Sequence, residues 1–186
     1  MTFLDLLIIA VGVSMDAFSV AICKGLSLPH AKLKEALTVG LYFGLFQAIM
    51  PLIGYFAGSA FAHVIQAWDH WIAFVLLGIL GIQMVREGVQ PEACPVGGIR
   101  FREMIPLALA TSIDALAVGV TLAFLNVSIF STVFFIGLAT FAFSAIGVYI
   151  GRFFGSRFQG PAQVFGGLVL MGMGLKILLE HTGIIG

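Results

Sequence analysis

The chain has 186 residues, of which 60% are hydrophobic and only 10% charged, and its formal net charge at pH 7 is zero. Soluble globular domains carry about 25% charged residues. This composition therefore excludes a soluble fold and predicts an integral membrane protein in contact with the lipid bilayer. The zero net charge argues against a nucleic-acid partner, because binding to phosphates requires an excess of positive charge.

Six apolar segments follow one another along the chain, each roughly 20 residues long and so able to span a hydrocarbon core about 30 Å thick. Their apolarity is continuous rather than alternating, which favours helices over a β-barrel. Pro51 and Pro106 lie inside or at the start of two segments, where a proline can kink a membrane helix. The predicted fold is an all-α integral membrane protein with six transmembrane helices in a single domain over residues 1–186. The predicted helices cover about 3–23, 37–58, 68–86, 104–125, 128–150 and 163–182.

Basic residues place the connections relative to the membrane. Eight of the nine lysines and arginines lie in three connections, whereas the connections around 59–67 and 126–127 carry none. The positive-inside rule then puts the three basic connections in the cytoplasm and both termini outside. Cys23 and Cys94 fall on the same predicted cytoplasmic side, so we expect free thiols. The eight basic residues are Lys24, Lys32, Lys34, Arg86, Arg100, Arg102, Arg152 and Arg157.

The two halves of the sequence match each other. A shift of 98 residues aligns Ser14 with Ser112 and Asp16 with Asp114 in the first and fourth segments. A repeat of three helices is odd-numbered, so the second copy must enter the membrane from the opposite side, as in many secondary transporters. We predict an inverted-topology repeat, with copies over about 1–90 and 100–186. A shift of 93 residues aligns later pairs, among them Gly54 with Gly147, Gly58 with Gly151, Gly81 with Gly174 and Glu87 with Glu180.

Asp16 and Asp114 lie in the middle of apolar segments. An aspartate at the bilayer centre costs roughly 2.5–3.5 kcal/mol on insertion scales, so two of them in matching settings indicate a function. The inverted repeat would bring the two carboxylates together near the midplane, and a divalent cation between them would relieve their repulsion. Hard oxygen ligands favour Mn²⁺, Mg²⁺ or Ca²⁺. The alternative is a pair of structural carboxylates that brace neighbouring helices.

Thiolate and imidazole ligands are absent from the predicted membrane interior. Cys23 lies at a helix end, and all four histidines lie at or beyond helix ends, which counts against a zinc or copper site. We predict no resident cofactor and no enzymatic activity. The histidines are His30, His63, His70 and His181.

Hydroxyl groups accompany both aspartates. Ser14 and Ser112 precede them by two residues, so on a helix they point roughly 200° away from the carboxylates. Thr111 precedes Asp114 by three residues and shares its face. The Thr111 hydroxyl is a candidate either for a metal ligand or for a bond to its own helix backbone.

Three further residues have two or more interpretations each. Gln47, inside the second segment, either lines a pathway or bonds across helices. Lys176, inside the sixth segment, either neutralises the carboxylates when no metal is bound, or snorkels, or pairs with Glu180. Gly25 either lets the first helix bend near its cytoplasmic end or caps that helix.

Three sequence motifs together resemble the MntP family of bacterial manganese efflux pumps, which is similar to the lysine-exporter superfamily. They are V-S-M-D-A-F-S-V-A at 13–21, T-S-I-D-A-L-A-V-G at 111–119 and G-M-G-L-K-I-L-L-E-H at 172–181. The resemblance covers nearly the whole chain. It implies export of manganese across the bacterial inner membrane, with the key acids at Asp16 and Asp114 and a functional glycine at Gly25.

These observations predict a secondary transporter with alternating access, for which Mn²⁺ is the transported substrate and inward proton movement supplies the energy. One alternative is an exporter of a small cationic organic solute or an amino acid, which would need a group to hold a carboxylate, and only Lys176 could supply it. A second is a membrane protein that does not transport, such as an assembly factor or a receptor. Selectivity among Mn²⁺, Fe²⁺ and Cd²⁺ is left open, and so is a homo-oligomer.

Overall fold

The computed structural model describes residues 3–28, 32–65, 69–90, 94, 98–125 and 127–181. All regular structure within these ranges is helical, and they contain no strand, which confirms the all-α class. The helices are α1 (Phe3–Ser27), α2 (Leu33–Ile65), α3 (Asp69–Val89), α4 (Phe101–Ala110), α5 (Ile113–Phe124), α6 (Ile129–Phe154) and α7 (Gln159–His181). A short 3₁₀ turn, Gly155–Phe158, separates α6 from α7.

Large apolar side chains cover the outer surface of the helices. Leu41, Ile79, Phe130 and Phe134 are 58–71% exposed, although such side chains usually lie inside a protein in water. Four helical stretches are long and apolar enough to cross a membrane, or five if the bent pair α4–α5 counts as one. The longest stretch, 129–180, contains α6, the 3₁₀ turn and α7. These features are those of a multi-pass integral membrane protein.

The fourth predicted segment was expected to be one continuous helix over 104–125, and this expectation is wrong. The chain bends by 44° between α4 and α5. The Ser112 backbone N–H donates to Leu109 rather than to the Ala108 carbonyl four residues back. The hydroxyl of Ser112 donates to Ala108 instead, at 2.6 Å, so the side chain satisfies the carbonyl that the helix leaves open. Hydroxyl competition for backbone acceptors therefore stabilises the break immediately before Asp114.

The helices pack in close pairs that join the two halves of the chain. Helix α1 packs against α6 and α7, whereas α5 packs against α2 and α3. In addition, α2 contacts α6, and α3 contacts α7. Glycines allow the closest approaches: the backbone of Gly54 lies against Leu116 of α5, and that of Gly151 lies against Ile22 of α1.

One end of the bundle, here called the basic end, gathers the ends of α1, α3 and α6 and the starts of α4 and α7. Gly25 of α1 meets the Val148 carbonyl of α6, and Lys24 donates to the Gly98 carbonyl at 3.2 Å. The described basic residues of the connections lie at or near this end: Lys24, Lys32, Lys34, Arg86, Arg100, Arg102, Arg152 and Arg157.

The expectation of free thiols is wrong, because Cys23 and Cys94 form a disulfide. The expectation considered only the compartment that each cysteine would face. Tertiary packing of the segment before α4 against the end of α1 brings their Cα atoms to 5.1 Å, within the range that a disulfide spans.

Candidate functional site

Both aspartates singled out by the sequence line one cavity of about 460 Å³ inside the bundle, here called the acidic cavity. Asp16 comes from the middle of α1, and Asp114 from the first turn of α5. The tertiary fold thus brings together two residues that are 98 positions apart in the sequence.

The acidic cavity extends from the aspartates toward the basic end. On α1 its walls are formed by Asp16 and residues after it, up to Cys23, and on α3 by residues from Leu80 to Glu87. The first turns of α7 contribute Gln159 and Gln163. All these positions lie between the aspartates and the ends of their helices that meet the basic connections.

Asp16 is held in a continuous helix. Its Oδ1 accepts a hydrogen bond from Nε2 of Gln163 at 3.4 Å, and its backbone carbonyl accepts one from the Ser19 hydroxyl at 2.9 Å. The helix just before it is braced on two sides. Ser14 donates to the Ala10 carbonyl, so the Thr140 hydroxyl, 2.8 Å away, is left to donate to Ser14.

Asp114 is presented differently, because it lies at the start of a broken helix. Its Oδ1 accepts from the backbone N–H of Ala115 at 2.8 Å. Its Oδ2 is buried and accepts no hydrogen bond from the part of the chain that the structure describes. The N-terminus of α5 favours negative charge at this position, since unpaired N–H groups and the helix dipole point toward it. One carboxylate oxygen of this cavity-lining residue therefore has no hydrogen-bond donor among the described residues.

Glu87 and Gln163 were not predicted as site residues from the sequence, although both line the acidic cavity. Gln163 Nε2 also donates to Glu87 at 3.2 Å, and Gln83 donates to the other Glu87 oxygen at 2.9 Å. Their positions near helix ends made them resemble ordinary polar residues at a membrane boundary. The available signal was spacing: Gln83 with Glu87, and Gln159 with Gln163, each place two polar side chains four residues apart on one helix face.

The predicted supporting hydroxyls form local bonds. Thr111 lines the cavity, and its Oγ1 donates to the Leu107 carbonyl at 3.1 Å and to Ala108 at 3.2 Å. Ser112 is fully buried at the break, and Ser14 contacts Thr140. Gln47 is buried and donates to the Val13 carbonyl at 3.0 Å, so it makes the cross-helix bond that was one of its two interpretations.

Lys176 and Gly25 lie away from the carboxylate pair. The Lys176 ammonium contacts the buried carboxylate of Asp5 and lies 3.4 Å from Glu180, so the pairing four residues along α7 is present. Gly25 lies inside the last turn of α1, which continues to Ser27, and a Cβ there would collide with the Val148 carbonyl. The interpretation of Gly25 as a helix cap is therefore wrong. The close approach of α6 explains why this position is a glycine.

Among the residues that the structure describes, no group of three or more His, Cys, Asp or Glu side chains is placed to hold one metal ion. Asp16, Asp114 and Glu87 thus share the cavity without forming a single three-acid cluster. His30 lies outside the described residues, as do the side chains of the other three histidines. Hydrated cations suit such a site, because water molecules can complete the coordination of a hard ion.

A multi-pass α-helical membrane protein with two carboxylates on one cavity has features that are common among transport proteins. The chain is a member of the MntP family: the family model described as "Putative manganese efflux pump" matches residues 30–178. Relatives named "Putative manganese efflux pump MntP" cover almost the whole chain. One from Desulfitobacterium hafniense is 54% identical, covering 98% of this chain and 97% of its own. Another, from Acetivibrio thermocellus, is 50% identical, and the match covers 100% of this chain and 94% of the relative. A third, from Mannheimia succiniciproducens, is 50% identical, covering 98% of each. No solved structure matches the chain.

Proposed function

We propose that this protein exports Mn²⁺ from the cytoplasm across the bacterial inner membrane, binding the ion between Asp16 and Asp114. The observation that carries the proposal is their shared position on one cavity, with a buried Asp114 oxygen that accepts no hydrogen bond from the described residues. Carboxylate oxygens suit a hard divalent ion. The choice of manganese rests on the names of the relatives, because carboxylates by themselves do not specify one divalent ion.

The proposed architecture has six membrane spans in two inverted three-helix repeats, with both termini outside and the basic end in the cytoplasm. Helix contacts support it. Gly54 and Gly58 of α2 lie against Leu116 and Val120 of α5. Their partners in the repeat do the same on α1, because Gly147 lies against Phe18 and Gly151 against Ile22. The shifts of 93 and 98 residues found in the sequence relate all four contacts.

The structure corresponds to an inward-facing state in this proposal. The acidic cavity extends toward the basic end, from which cytoplasmic Mn²⁺ would enter. On the other side of Asp16, the residues Ile9, Ala10 and Val13 are at most 1% exposed and pack in the main core. Rocking of one repeat against the other would open this packed side and close the cavity, which is alternating access.

Inward proton movement is the proposed source of energy. Moving a divalent ion outward against a potential of 100 mV costs about 4.6 kcal/mol, at about 2.3 kcal/mol for each charge. Protonation of Asp16 and Asp114 from the outside would remove the negative charges that hold the metal. The same two groups would then carry protons inward when the transporter returns.

An exporter of amino acids is less well supported. An amino acid would require a cationic group in the site to hold its carboxylate, and Lys176 was the candidate in the sequence. Its ammonium instead contacts Asp5 and Glu180, and Lys176 is not among the residues that line the acidic cavity.

The test uses a bacterium without manganese export that carries the intact chain, Asp16→Asn or Asp114→Asn. We expect the intact chain to restore growth on manganese and ⁵⁴Mn uptake into inverted vesicles, and each variant to lower that uptake at least about tenfold, as the loss of one charged ligand implies. Glu103→Gln is the matched control, because Glu103 is an exposed acid of α4 outside the cavity. Unchanged uptake in both aspartate variants would refute the proposal.

A further inference from the structure

We propose that Glu87, Gln163 and Asp16 form a second position for a hard divalent cation, nearer the basic end than the position between Asp16 and Asp114. This second position rests on the proposed function of the acidic cavity as a cation pathway. It would receive the hydrated ion first and pass it to the aspartate pair by way of the shared Asp16.

The first observation is that the side-chain amide of Gln163 contacts two carboxylates. Gln163 Nε2 lies 3.4 Å from an oxygen of Asp16 on α1 and 3.2 Å from an oxygen of Glu87 on α3. Each of its two N–H groups thus faces a different carboxylate. The amino group, which carries partial positive charge, lies between the two acids and offsets their repulsion, as a cation would.

The second observation concerns the oxygen of the same Gln163 amide. Gln163 is only 7% exposed, and its Oε1 is buried without a hydrogen-bond partner among the described residues. A buried carbonyl oxygen without a partner is uncommon in folded proteins. Rotation of the amide by half a turn would exchange its oxygen and nitrogen with little change in shape. The oxygen would then face Asp16 and Glu87, so that a cation held between the three side chains would meet hard oxygen ligands from three helices.

The third observation separates this position from the aspartate pair. The described acids do not form one group of three that could hold a single metal together, although Asp16, Asp114 and Glu87 all line the cavity. Two positions that share Asp16 are consistent with both facts. Glu87 is two residues from the end of α3, and Gln163 is four residues after the start of α7, so the second position lies on the side of the basic end.

Gln83 fixes the orientation of the acid at this position. It donates at 2.9 Å to the Glu87 oxygen that does not face Gln163. Glu87 is therefore held with one oxygen on each glutamine, and only the amide of Gln163 must rotate to admit a cation. Such an arrangement favours fast entry and exit, because the ion displaces a neutral group rather than a competing charge.

The test is Mn²⁺ binding to the purified full chain, measured by calorimetry and by loss of the free Mn²⁺ signal in electron paramagnetic resonance. It uses Asp114→Asn, which disables the aspartate pair, as the background. We expect this variant to retain one bound Mn²⁺. Adding Gln163→Leu should weaken that binding at least about tenfold, whereas adding Gln159→Leu should not. Gln159 is the matched control, because it lines the same cavity four residues earlier on α7.

The outcomes are separable. No Mn²⁺ binding to Asp114→Asn, or equal binding with and without Gln163→Leu, would overturn the second position while wild-type binding still supports the proposed function. A wild-type chain that binds no Mn²⁺ would overturn the proposed function itself. Size-exclusion chromatography checks the fold of each variant, and Glu87→Gln in the same background replaces Gln163→Leu if that variant aggregates.

Discussion

Gly54 of α2 lies directly against the backbone carbonyl of Leu116 on α5, so that a Cβ at this glycine would overlap the carbonyl oxygen. The contact is made two residues after Asp114 and fixes how closely α2 approaches the start of α5. Gly151 makes a similarly close contact with the backbone carbonyl of Ile22 on α1. The placement of both acid-bearing helices thus depends on glycines of their neighbours.

Alanine at these glycines should destabilise the protein. We expect Gly54→Ala and Gly151→Ala each to cost about 1–3 kcal/mol, because an added methyl group forces packed helices apart. Gly172→Ala is the control, since nothing lies within 4 Å of a Cβ there, and it should be neutral or slightly stabilising. Thermal unfolding in detergent measures the difference. Equal stability of all three variants would contradict the helix approach described here.

The disulfide between Cys23 and Cys94 gives a prediction with a countable result, because the chain has two cysteines. Cells are treated with N-ethylmaleimide before lysis to block free thiols, and the denatured protein is then exposed to a maleimide polymer. We expect no polymer to attach without reductant and two to attach when reduction precedes the polymer. Attachment of none after reduction would show that both thiols were free in the cell.

The ion pair of Lys176 with Asp5 should contribute to stability at the end of the bundle opposite the basic end. Asp5 is 2% exposed, so removal of the nearby cation leaves a buried carboxylate less well compensated. We expect Lys176→Gln to lower the melting temperature by several degrees. The double variant Asp5→Asn/Lys176→Gln should recover most of that loss, because it also removes the negative charge. A double variant less stable than Lys176→Gln would be inconsistent with the pair.

Proton coupling should appear in proteoliposomes as proton flux opposite to Mn²⁺ flux. Each coupled proton should raise the attainable Mn²⁺ gradient about tenfold per pH unit, because a ratio of ten corresponds to about 1.4 kcal/mol. The gradient should collapse when a proton ionophore is added. Asp16→Asn in the same liposomes provides the baseline. Mn²⁺ flux that does not respond to a pH gradient would refute the coupling and leave metal export to be judged by uptake.

Much of the fold was accessible from the sequence, because membrane helices are encoded locally by length and apolarity. Each of the predicted segments lies mainly within residues that are helical in the structure. Helix α2, however, extends to Ile65, beyond the predicted end at 58. The error at 104–125 arose because apolarity does not reveal a break. That break depends on which carbonyls the Thr111 and Ser112 hydroxyls reach, which is a matter of side-chain geometry.

The candidate site was predicted in part. Asp16 and Asp114 were recognisable because a carboxylate in an apolar segment is energetically costly and therefore conspicuous. Glu87 and Gln163 were missed because placing a polar residue near a helix end costs little free energy. Such residues therefore do not stand out in a sequence. Only the tilt and packing of α1, α3 and α7 bring their side chains to the same cavity as Asp16.

The sequence by itself determined the membrane class, the helical segments and the two aspartates within apolar segments, because each follows from the free energy of placing a residue in lipid. The tertiary structure decided what those residues meet. It brought Asp16 to Gln163 and Cys23 to Cys94, and it placed the helix break before Asp114. These contacts depend on close packing between distant segments, which no local pattern encodes.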